Sequence, residues 1–121
     1  MTTITDDINK VVGMDEALLS DKVVGGIKSV TVMEGKENEF ESLFKELAAK
    51  VRDCDNGCNY YDLYKSERPR TYLVMEQYKN KTALQEHQRS EYGKYYLPKL
   101  HGIMEKTEAG YFECSVQLKE L

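Results

Sequence analysis

The sequence predicts an α+β domain whose elements run β-α-β-β-α-β. Three observations carry this expectation. One long segment repeats apolar residues at helical spacing, between short runs rich in β-branched and aromatic residues. Two of those runs are separated only by Glu67-Arg68-Pro69-Arg70, a turn short enough to make them an antiparallel hairpin. A last alternating run then follows a second helical stretch.

The elements follow in order. Ile27 to Met33 (IKSVTVM) is β-branched and partly alternating, which suits a strand. Gly25-Gly26 is expected to punctuate the chain before it. Glu34-Gly35 turns into a helix over Lys36 to about Asp53. There Phe40, Leu43, Phe44, Leu47, Ala48 and Val51 fall at intervals of 3, 1, 3, 1 and 3, a single apolar stripe. Asp55-Asn56-Gly57 ends the helix as a turn. Cys58 to Ser66 and Thr71 to Lys79 are the hairpin strands, with Pro69 confined to the turn. Asn80 caps a second helix that carries Ala83, Leu84 and His87 on one face. Ser90 to Tyr92 is a point where that helix can break. Pro98 suits the first turn of a further helix, with Leu100, Ile103 and Met104 inward. Gly110 is read as its stop, and Tyr111 to Lys119 as the final strand. The order is that of the ferredoxin-like split βαβ arrangement, an antiparallel sheet with helices on one face.

Composition narrows the function classes. The chain has 121 residues, room for one domain, and its 31% charged and 40% hydrophobic residues suit a globular one. Lys plus Arg number 17 against 21 Asp plus Glu, a net charge of −4. Neither a nucleic-acid partner nor an anionic membrane surface is expected from that balance. No apolar run is long enough to span a bilayer, and Met1 to Asp7 lack the features of a secretory signal. A cytoplasmic location is the expectation. Residues 1–22 read as an arm, with five acids against two bases, and residues 23–121 as the domain. The apolar clusters Ile8 to Val12 and Ala17 to Leu19 are too small to fold alone and are expected to dock on the domain.

Cys54, Cys58 and Cys114 do not form a disulfide framework. Cys54 and Cys58 are four apart, looser than a CxxC pair, and only His87, His101 and Cys114 could complete a zinc site. Buried free thiols are the simpler reading, and no metal or other cofactor is expected. Nine Tyr and no Trp suggest an interface or pocket lined with phenols.

Several segments resemble the antibiotic biosynthesis monooxygenase family, which includes quinol monooxygenases. They are the Gly35 turn before Phe40, GCNYYDLYKS at Gly57 to Ser66, and YLVMEQYKNKTALQEHQRS at Tyr72 to Ser90. In the last, Glu76, Tyr78, Ala83, Leu84 and His87 fall on the family's E-x-W-x(4)-A-L-x-x-H pattern. The resemblance runs from about Val24 to Leu118 and implies a homodimer closed face to face into an α+β barrel. It also implies a cofactor-independent monooxygenase acting on a small aromatic or quinol-type molecule with dioxygen. Tyr78 stands where the family most often has Trp, and Val74 where the polyketide-oxidising branch has Asn. Without Trp, and with Leu97 near the axial position of the haem-degrading branch, haem degradation is not expected.

Such chemistry needs a base, hydrogen bonds to an oxyanion and a dry pocket. His87 is the best base, since imidazole titrates near neutrality and the helix spacing aims it inward; a structural helix histidine is the alternative. Tyr78 would stack on or bond to substrate, or simply pack in the core. Tyr61, Tyr64 and Asn59 would line the pocket from the second strand, beside Val74 and Leu84. Glu76, mid-strand among apolar residues, is expected to form a structural ion pair rather than act as an acid. Tyr92, Tyr95 and Tyr96 would close the pocket or form an exposed helix edge, and His101 is read as exposed. Two other readings stand beside the oxygenase: a non-catalytic barrel that binds a small hydrophobic molecule, and a cofactor-free isomerase using the same His.

Overall fold

Four antiparallel strands form one sheet under three helices in the computed structural model, which describes residues 22–113. The arm before Lys22, Cys114 and the predicted strand end to Lys119 lie outside the described residues. The elements are β1 (Val24–Val32), α1 (Glu37–Cys54), β2 (Cys58–Lys65), β3 (Thr71–Tyr78), α2 (Lys81–Arg89), α3 (Glu91–Gly102) and β4 (Met104–Glu113). The sheet order is β2-β3-β1-β4, as the ferredoxin-like class requires.

The α1 stripe folds as expected: Phe40, Phe44, Leu47, Ala48 and Val51 are its buried residues. Phe40 packs on Tyr72 of β3 with ring centroids 4.9 Å apart, and Phe44 stacks on Tyr61 of β2 at 5.1 Å. Asn80 caps α2 by accepting the Ala83 N–H at 2.8 Å. Ser90 ends α2 and starts α3. Its hydroxyl accepts from Gly93 N at 3.0 Å and donates to the His87 carbonyl at 2.7 Å.

Three expectations need correction. Gly25-Gly26 does not punctuate the chain; both lie inside β1. Pro98 is not in a first turn but deep in α3, on its exposed side, because the Ser90 cap starts that helix at Glu91. Gly110 stops no helix. The helical run ends at Gly102, and Met104, buried as expected, is the first residue of β4.

Gly26 is required by a close approach. It pairs with Glu76 on one side and Tyr111 on the other. A Cβ there would stand 2.6 Å from Tyr111 Cε1 and 3.0 Å from Glu76 Cγ. The bare backbone lets the Tyr111 ring lie across β1 and its hydroxyl donate to Glu76 Oε1 at 3.1 Å. Tyr78 donates to the same oxygen at 2.7 Å. Lys28 Nζ lies 3.1 Å from Glu76 Oε2, so the expected ion pair is present, with side chains 7% and 1% exposed. Burial alone would raise the Glu76 carboxyl; the charges of Lys28 and His87 and the tyrosine hydrogen bond hold it below the ordinary glutamate value.

The two faces of the sheet differ. Val30, Tyr72, Val74 and Tyr78 point under the helices and are buried, whereas Ile27, Tyr60, Tyr64, Leu73 and Phe112 stay exposed on the other face. No helix of the described residues is long and apolar enough to cross a membrane.

The Lys28–Glu76 pair makes a prediction with a definite sign. In the wild type, the depressed Glu76 contributes stability above the ordinary carboxylate range, and this is lost as pH falls through its folded value. Lys28→Met leaves a buried carboxylate uncompensated and should cost roughly 3–5 kcal/mol near pH 7 in urea unfolding. Its deficit should shrink as pH falls and Glu76 becomes neutral. A deficit that is equal at pH 7 and pH 4 would contradict this account.

Candidate functional site

The site grows from two chain reversals. Asp55 follows α1, and its Oδ1 accepts the Gly57 N–H at 3.2 Å in a side-chain-closed turn. Gly57 then presses on α2: a Cβ there would meet Ala83 Cβ at 2.5 Å. That contact brings Asp55 beside the last turn of α2. Asp55 Oδ2 lies 3.0 Å from His87 Nδ1, and His87 is 3% exposed.

Three tyrosines surround the imidazole. Tyr61 of β2 is 5.1 Å from it between ring centroids, Tyr78 of β3 5.2 Å, and Tyr92 of α3 6.3 Å. The Tyr92 hydroxyl also donates to Asp55. A cavity of about 370 Å³ opens between the end of α1 and the start of β2. Val51, Asp55, Cys58, Asn59 and Tyr61 are among its walls, and Arg52 and Asp62 carry its charges nearest solvent. Asp55 and Tyr61 therefore touch the cavity on one side and His87 on the other.

The electrostatics are ordered. Burial works to raise the Asp55 carboxyl, but the hydrogen bond and charge of His87, with Tyr92 and the Gly57 N–H, hold it below the ordinary aspartate value. An ionised Asp55 accepts a hydrogen bond from Nδ1–H of a neutral imidazole, which fixes that tautomer and leaves Nε2 as the basic nitrogen. Burial, then the charge of Glu76, keeps the Tyr61 and Tyr78 hydroxyls far above their ordinary range. Tyr92 is pushed up to about 12, also chiefly by burial. All three are neutral donors at physiological pH. Burial, with the charges of Asp55 and Glu76, raises the Cys58 thiol to about 12, so it is no nucleophile there.

The residues singled out in the sequence divide into groups. His87, Tyr61 and Tyr78 come together, and Val74 and Leu84 are buried in the same core. Asn59 sits on the outer cavity wall, where its amide donates to Gln77 Oε1 at 2.9 Å. Tyr64 is 52% exposed on the opposite face of the sheet, apart from the imidazole. Of the α3 tyrosines only Tyr92 reaches the site; Tyr96 bonds Glu46 and Tyr95 is exposed. His101 is half-buried with both ring nitrogens shielded, not exposed, and Cys54 is exposed, not buried. Asp55 is the residue that sequence reasoning missed. It reads as a turn former, and 32 residues separate it from its partner. Among the described residues no cluster of three or more His, Cys, Asp or Glu could hold a metal ion.

Known proteins share this arrangement of elements. A structure from Caulobacter crescentus CB15, described provisionally as an antibiotic biosynthesis monooxygenase, is 26% identical with a TM-score of 0.77, over 86% of this chain and 99% of that one. A conserved protein from Methanosarcina mazei Go1 is also 26% identical, at a TM-score of 0.69, over 76% of this chain and 92% of its own. A Mycobacterium tuberculosis protein, 21% identical at a TM-score of 0.70 over 81% and 97%, shares the fold. No curated protein matches significantly. The model of the antibiotic biosynthesis monooxygenase family matches residues 24–97. That is more than half of the chain, and the chain belongs to this family.

Proposed function

We propose that this protein is a cofactor-independent monooxygenase of a small phenol or quinol, with His87 as its base. The observation that carries the reading is the buried Asp55–His87 pair, ringed by neutral tyrosines and backed onto a cavity of about 370 Å³. A cavity of that size suits one small aromatic molecule. Family membership and the provisional description of the Caulobacter crescentus relative support the same class.

The chemistry balances without a cofactor. His87 Nε2 accepts the phenolic proton, and Asp55 stabilises the imidazolium that results. The phenolate is electron-rich and passes one electron to dioxygen. Recombination of the radical pair forms a carbon–oxygen bond. His87 returns its proton to the peroxide. Loss of the ring C–H proton at the oxygenated carbon then breaks the O–O bond, so that one oxygen stays on the ring as a quinone carbonyl and the other leaves as hydroxide, which takes up that ring proton to become water. Tyr61 and Tyr92 are only partly buried, whereas Tyr78 is fully so. One of those first two rings turns aside to admit substrate to Nε2. Tyr61, neutral and on the cavity wall, is the hydrogen-bond donor at hand for the oxyanion, since the Tyr78 and Tyr92 hydroxyls donate to Glu76 and Asp55.

The assembly belongs to the same proposal. Ile27, Leu73, Tyr60, Tyr64 and Phe112 leave an apolar sheet face open to solvent, and a second copy of the chain is its occupant. The two sheets then face each other and close a barrel, which places Tyr64 in the interface rather than in the pocket.

His87→Ala should lower oxygen uptake with active quinols by about 10²–10⁴-fold while the protein stays folded. Full activity in that variant would remove the base from the mechanism. Light scattering at micromolar concentration should give a dimer, and Leu73→Glu should give a monomer. A wild-type chain that is a stable monomer would refute the barrel.

A further inference from the structure

The oxygenase reading leaves one buried charged group without a task. Lys28, Glu76 and Tyr111 lie on three adjacent strands, all buried, and none touches the cavity. A buried ion pair is a poor source of stability, because desolvating two charges offsets most of their attraction. This one is also joined to the candidate base. Glu76 Oε1 accepts the Tyr78 hydroxyl at 2.7 Å, and the Tyr78 ring lies 5.2 Å from the His87 ring. The charge of His87 is among those that hold the Glu76 carboxyl below its ordinary value.

We propose that Glu76 is a positioning residue for His87: it anchors the Tyr78 ring against the imidazole and supplies a fixed negative charge that favours the imidazolium. Lys28 and Tyr111 hold the carboxylate in place, and Gly26 gives Tyr111 room to reach it. The groups facing His87 from the packed elements are few. Asp55 comes from the loop after α1, Tyr61 from β2, Glu76 and Tyr78 from β3, and Tyr92 from α3. Two of these are carboxylates, on opposite sides of the imidazole's chemistry. Asp55 bonds Nδ1 directly and fixes the tautomer. Glu76 acts through Tyr78 and through space, and Lys28 moderates it from the far side. The base is thus tuned by two acids and one moderating cation, all buried within the domain.

This inference rests on the reading of His87 as the base, but its test does not need turnover. The measurement is a ring-proton NMR titration of the full chain, with a His101→Gln variant to assign the two histidines. Glu76→Gln keeps the side-chain volume and removes the charge. It should lower the midpoint of the His87 titration by about 0.5–1.5 pH units. If the stranded Lys28 prevents folding, the double variant Lys28→Met/Glu76→Gln buries no unpaired charge, and it should shift the midpoint in the same direction. In an active preparation, the acid limb of the kcat/KM profile should move with the midpoint. An unchanged His87 titration in a folded Glu76→Gln or double variant would overturn the inference. Full activity of His87→Ala would refute the oxygenase mechanism while leaving the titration result intact.

Discussion

A carboxylate buried under helices must be answered by its neighbours, and in this fold Glu76 is answered from three strands. Lys28 comes from β1, Tyr78 from β3 itself and Tyr111 from β4. Their meeting depends on register. Gly26 has to stand between Glu76 and Tyr111, and it has to lack a side chain. A slip of one residue would turn Lys28 and Glu76 to the open face and bring Ile27 and Met75 under the helices. The polar layer therefore selects one pairing of the sheet, on top of the apolar contacts of α1 with Tyr72 and Tyr61.

The same layer decides what the helices can present. α2 is short, and its side toward the sheet carries Ala83, Leu84 and His87. An imidazole placed there is buried, 3% exposed. It meets Asp55, which the α1–β2 turn delivers because Gly57 packs without a gap on Ala83. Ser90 then holds the His87 carbonyl and starts α3, which carries Tyr92 back over the ring. Each neighbour of the imidazole arrives from a different element, so the site exists only when the whole domain is folded. That dependence suits a group whose protonation has to be controlled by fixed dipoles rather than by solvent.

Much of this was legible in the sequence where the signal is local. The six-residue stripe of α1 and the Asn80 cap follow from spacing and side-chain chemistry alone. The mid-strand Glu76 announced an ion pair, because a lone carboxylate among apolar residues needs a partner. The end of the chain read less well. Gly110 looks like a helix stop and Pro98 like a helix start, but the Ser90 cap begins α3 early and β4 takes over at Met104. In β2 a register shift between Cys58 and Tyr60 breaks strict alternation and puts Cys58 with the core-packed residues Tyr61 and Leu63. Asp55 was illegible as a partner of His87, since nothing local links a turn aspartate to a helix 32 residues away.

The central claim is that the buried Asp55–His87 pair takes a proton from a bound phenol. Anaerobic binding of a phenol whose ionised form absorbs at its own wavelength tests this directly, because without dioxygen the reaction stops after proton transfer. The wild-type protein should ionise the bound probe at a pH below its midpoint in free solution, and His87→Ala should bind it without doing so. Ionisation shifted equally in both proteins, or in neither, would contradict the account.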